Sequence, residues 1–78
     1  MQRKPVFDYS KLRGRIREKY GTQKKFANAM DTTPATISKK LTNKSYFDQC
    51  EVVRAVKLLG IEQGTVSAYF FTQQLKKT

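Results

Sequence analysis

The stop and start signals crowded between residues 21 and 41 constrain this chain more than any other feature. Gly21 is the residue type that most readily ends a helix, because it enters the left-handed conformation without a Cβ penalty, and Thr22 after it is a good N-cap. Asp31-Thr32-Thr33-Pro34 then repeats the message. Thr33 can cap, and Pro34 suits the first helical position, where its missing N–H is harmless. Two short helices are therefore predicted, Gln23 to Met30 and about Pro34 to Leu41, joined by the four-residue turn Asp31 to Pro34, whose Pro34 opens the second. Phe26, Ala27 and Met30 form the apolar face of the first, and Ile37 and Leu41 that of the second.

The rest of the chain supplies helices to cover those faces. Residues 9 to 20 place Tyr9, Leu12, Ile16 and Tyr20 in one stripe at helical spacing, with Gly14 roughly opposite it. After a polar loop over Thr42-Asn43-Lys44-Ser45, Asp48 and Glu51 have capping-box spacing, and Phe47 can staple against Val52. A helix from about Gln49 to Leu59 follows, burying Val52, Ala55, Val56 and Leu59 and stopped by Gly60. Residues 62 to 71 can make a short fifth helix or an extended segment, since Gly64, Thr65 and Val66 are weak helix formers. A chain of 78 residues cannot divide its apolar residues between two cores, so the expected fold class is all-α: one compact four- to five-helix bundle. Its expected organisation is a flexible basic arm over 1–8, the helical domain over 9–71 and a polar basic tail over 72–78.

Charge narrows the functional classes. Sixteen Lys and Arg against six Asp and Glu leave a formal charge of +10, which favours a polyanionic partner. Residues 1 to 25 hold nine basic residues against Asp8 and Glu18, whereas residues 46 to 78 are nearly balanced. The absence of His removes His-dependent catalysis, and a lone Cys50 can form neither an internal disulfide nor a metal cluster. No enzymatic activity, metal or cofactor is expected. The start MQRKPVFDYS lacks the apolar core of a signal peptide, and no apolar run approaches a membrane span, so the expected location is the cytoplasm of a bacterial host cell.

The stretch TQKKFANAMDTTPATISKKLTNK resembles the lambda-repressor and Cro-like (XRE-type) helix-turn-helix family. That pattern has Gln opening its second helix, a small Ala four residues later and a β-branched residue ten further on; Gln23, Ala27 and Ile37 fall there. The small side chain of Ala27 would let the two helices approach, with Ile37 packing beneath both. The usual turn Gly is Asp31 here and the apolar residue after it is Thr32, and Asp tolerates the left-handed conformation better than most residues. The segment FDQCEVVRAVKLLGIEQGTVSAYFFT is similar to the rear helices of small regulators from phages of Gram-positive bacteria.

The resemblance implies a lambda-repressor-like DNA-binding domain whose helix three enters the major groove of an operator. Thr33, Pro34, Ala35, Thr36, Ser38 and Lys39 would then face base edges, with Pro34 and Ala35 limited to apolar contact with thymine methyls. Gln23, Lys24, Lys40, Asn43 and Lys44 would hold phosphates. Arg13, Arg15 and Arg17 either contact phosphate or simply solubilise helix one, and Arg3 and Lys4 either follow a groove or form a disordered end. The adjacent Tyr69, Phe70 and Phe71 cannot all point inward from one helix, so at least one is expected at the surface as a dimer or partner contact. The expected function is that of a Cro- or repressor-like transcriptional regulator on double-stranded operator DNA, as a homodimer in one version. The alternatives are an antirepressor or modulator acting through a partner repressor, and a sequence-independent binder of nucleic acid or anionic membrane.

Overall fold

Helix α1 spans Ser10–Tyr20 in the computed structural model, which describes residues 6–74. Its start is organised from outside: Ser10 donates to Asp8 Oδ1 from its hydroxyl (2.6 Å) and its backbone N–H (2.9 Å). Those two bonds, the hydroxyl's first, hold the Asp8 carboxyl below its ordinary value. Helix α2 is Gln23–Ala29, with Thr22 accepting a bond from Lys25 N–H, and α3 is Pro34–Leu41, with Thr33 accepting one from Thr36 N–H. Helix α4 is Gln49–Leu59, and both halves of its Asp48–Glu51 capping box are formed; it ends at Gly60 in the left-handed conformation, φ 64°.

The open question over residues 62–71 resolves as helix. A 3-10 turn, Gln63–Thr65, leads into α5, Val66–Phe70, which packs on α1. The turn is held by Thr65, whose hydroxyl and N–H both donate to Glu62 O at 2.9 Å, so a local bond offsets the weak propensities there.

The core lies between α1 and the α2–α3 pair, closed by α4 and α5. Leu12, Phe26, Ala27, Ala55 and Leu59 are fully buried, with Ile16, Ile37 and Phe70 nearly so. Ala27 and Ile37 thus occupy the expected positions between α2 and α3.

Three arginines tie the helices together. Helix C-termini leave carbonyls without intrahelical partners and carry negative dipole ends. Arg15 Nε donates to Leu59 O at the end of α4 (2.9 Å), Arg54 to Met30 O just past α2 (3.2 Å), and Arg13 to Leu41 O at the end of α3 at a longer 3.4 Å. Of the residues considered for phosphate contact or solubility, Arg15 is drawn into the fold, pairing also with Glu18 at 2.8 Å, whereas Arg13, bonded at 3.4 Å, stays exposed.

The expected boundaries at residues 8 and 72 also need correction. Phe7 and Gln73 form an isolated antiparallel bridge, Asp8 N–H donates to Thr72 O (2.7 Å), and Gln74 N–H donates to Val6 O (2.8 Å). Residues 6–8 and 72–74 are therefore tied to each other by the backbone pairing that an extended segment requires, and the flexible arm and free tail do not include them. Arg3, Lys4 and residues 75–78 lie outside the described residues.

Candidate interaction surfaces

The α2–turn–α3 unit presents the first surface. Asp31 takes the left-handed conformation (φ 61°) that the turn needs, and Thr32 N–H then reaches back to Ala27 O at 2.9 Å, closing α2. Pro34, Ala35, Ser38 and Lys39 stand exposed along the outer face of α3, as expected for a face turned to a partner. Thr33 is exposed and Thr36 half-buried, and their hydroxyls bond to each other at 2.9 Å. Ser38 and Lys39 are left as the polar side chains on this face outside that pair.

The residues expected to hold phosphates divide. Lys24 and Lys44 are exposed, and Gln23 is half-buried at the start of α2, in a cleft of about 370 Å³ that it shares with Arg13, Arg17 and Thr22. Lys40 and Asn43 do not join them. Lys40 bonds Glu51 across α3 and α4, and Nζ lies 5.7 Å from the ring centre of Phe47. Asn43, itself left-handed at φ 67°, spends both ends of its amide on Phe7: Oδ1 accepts Phe7 N–H (2.9 Å) and Nδ2 donates to Phe7 O (3.0 Å). For both residues the physical reason is the same, since a neighbouring element offers a fixed partner inside the molecule.

A second surface is aromatic. Phe7 meets Tyr46 and Phe71 edge to face at 6.1 and 6.3 Å, and Phe47 meets Tyr9 and Phe70 likewise at 5.8 and 5.5 Å. Burial pushes the Tyr9 phenol above its ordinary pKa, with Tyr46 adding to the shift. The terminal trio separates as the helix geometry demands. Phe70 is buried, Tyr69 is half-buried under Lys11 Nζ at 5.1 Å, and Phe71 is 54% exposed. Phe71 thus extends the ring cluster to solvent, while Val6, 40% exposed, takes part in the terminal backbone pairing. The contribution of Phe7 and Tyr46 was not foreseen from the sequence, because neither lies in a helical stripe.

These features define a class of five-helix domain that carries an α2–turn–α3 edge beside an aromatic patch, and among the described residues no helix is long and apolar enough to cross a membrane. The chain belongs to the family described as "Protein of unknown function (DUF739)", which matches residues 5–73. It is also similar to the solved solution structure of the modulator of repression (MOR) of the temperate bacteriophage TP901-1 from Lactococcus lactis. The two are 41% identical, with 85% of this chain and 89% of that chain covered and a TM-score of 0.75. No curated protein matches the sequence.

Proposed function

We propose that this chain is a small phage regulator that modulates repression by binding a partner repressor protein, with the aromatic patch around Phe71 as the docking surface. The similarity to a phage modulator of repression, extending over most of both chains, carries this reading. The surfaces support it. A face of α3 led by Pro34 and Ala35, with its threonine hydroxyls paired and Lys40 turned away, has few groups for reading bases. An exposed Phe backed by a buried ring cluster is the kind of anchor that protein interfaces use, because its large apolar area is already ordered. Such a role calls for no catalysis or cofactor, and its place of action would be the cytoplasm of the bacterial host.

Direct operator binding is the second reading, in which α2 and α3 act as an XRE-type helix-turn-helix. The exposed Ser38, Lys39 and Lys44, with Gln23 and Lys24 at the start of α2, favour it, as does the charge of +10. A homodimer through Phe71 would belong with this version.

One titration series separates the readings. The repressor of the same phage is mixed with this chain, and complex formation is followed by calorimetry while repressor occupancy of its operator is followed by footprinting. The expected result is a complex that changes operator occupancy and that Phe71→Ser weakens at least tenfold, about 1.4 kcal/mol. Absence of any complex, together with selective binding of the operator by this chain alone, would transfer the case to the second reading.

A further inference from the structure

A charge of +10 on so small a protein attracts any nucleic acid, yet the edge where α3 ends withholds one of its cations. Lys40 stands beside the exposed Lys39, but its own side chain is only 12% exposed and its ammonium is bonded to Glu51 Oε1 on α4. The same carboxylate oxygen accepts Asp48 N–H at 2.9 Å, while Asp48 Oδ1 accepts Glu51 N–H at 2.8 Å. The capping box therefore orients the carboxylate, which meets Lys40 already in place. The Phe47 ring beneath Lys40 shields the pair further.

We propose that Glu51 is a specificity-determining residue that competes with nucleic-acid phosphate for Lys40, limiting non-selective DNA binding by this basic chain. A phosphate reaching Lys40 must displace a carboxylate that needs no ordering, and must do so where both charges are partly desolvated and salt screens them little. Asn43 shows the same pattern one turn later, its amide bound to Phe7 instead of offered to solvent. The inference concerns phosphate alone and holds whether the chain's selective partner is a repressor or an operator.

The test uses the full chain and a short random-sequence duplex, with affinity measured as a function of salt. Glu51→Gln keeps an amide oxygen for the capping box but removes the charge that holds Lys40. It should raise affinity several-fold and steepen the salt slope by about one phosphate contact. Glu62→Gln, on an exposed residue before the 3-10 turn, changes net charge equally and controls for the general field. It should leave the slope unchanged. Adding Lys40→Gln to Glu51→Gln should return the slope to that of the parent. Equal effects of Glu51→Gln and Glu62→Gln, or a steepened slope that survives loss of Lys40, would overturn the proposal. Should Glu51→Gln fail to fold, Lys40→Gln alone decides. An unchanged slope supports withholding, and a slope reduced by about one contact shows that Lys40 already binds phosphate.

Discussion

Asn43 combines two demands that few residues meet together, a left-handed backbone (φ 67°) and an amide that clips Phe7 from both sides. Replacing it with Ala adds a conformational penalty to two lost hydrogen bonds, so Asn43→Ala should destabilise the domain by ~2 to 4 kcal/mol. Asn43→Gly relieves the backbone alone and should cost only about half as much. Denaturant titration of the two variants checks the split: equal losses would show that the left-handed backbone contributes nothing, and no loss in Asn43→Gly would show that the clip contributes nothing. Asp31 faces the backbone demand without the clip (φ 61°). Asp31→Gly should stay within ~1 kcal/mol of the parent, whereas the β-branched Asp31→Val should cost ~1 to 2 kcal/mol.

At the scale of the element, helix ends were the most legible part of this chain. The caps at Thr22, Thr33 and Asp48 and the stop at Gly60 are local chemistry, set by residues within about one turn of each other, and each forms as the sequence suggests. Asp48→Ala should lower stability by ~1 kcal/mol and fray the first turn of α4, seen as faster amide exchange at Glu51. The start of α1 was less legible, because its first bonds come from Asp8, ahead of Tyr9. The Asp8 carboxyl is held below the ordinary carboxylate range in the folded state by Ser10, first through its hydroxyl and then its N–H. A depressed acid favours folding above its unfolded pKa, and this contribution is lost as pH falls through the folded value. Asp8→Asn should therefore remove part of the acid-side dependence of the melting temperature. An unchanged acid limb in a pH series of melts would count against this assignment.

Across the whole molecule, adjacent aromatics divide the labour between core and surface. Phe70 is 2% exposed and Phe71 54%, so Phe70→Ser should destabilise the fold by ~3 to 5 kcal/mol while Phe71→Ser, losing its ring contacts with Phe7 and Phe70, should cost ~1 kcal/mol and leave the domain folded. Thermal melts beside repressor binding test both statements. A Phe71→Ser protein that is fully folded and binds the repressor as the parent does would remove the patch from the proposed function. Charge also divides at this scale. Arg13, Arg15 and Arg54 bond helix-end carbonyls and keep their charge, whereas Lys40 is held by Glu51, so the basic side chains are not equally open to a partner.

Sequence alone determined the first four helices, their order and the pairing of α2 with α3, because capping, glycine stops and apolar spacing act over one or two turns; the fifth helix was settled by the structure. The Ala27 and Ile37 positions were legible for the same reason: each needs only a small or branched side chain at a fixed helical spacing. Tertiary structure decided which polar side chains remain available. Lys40 finds Glu51 across 11 residues, Asn43 finds Phe7 across 36, and Arg15 finds Leu59 across 44. No local pattern marks such pairs, because a cation or amide has the same sequence signature whether it faces solvent or a neighbouring helix. Only the approach of distant segments, driven by burial of the shared core, sets which of those groups are occupied within the fold and which are left for a partner.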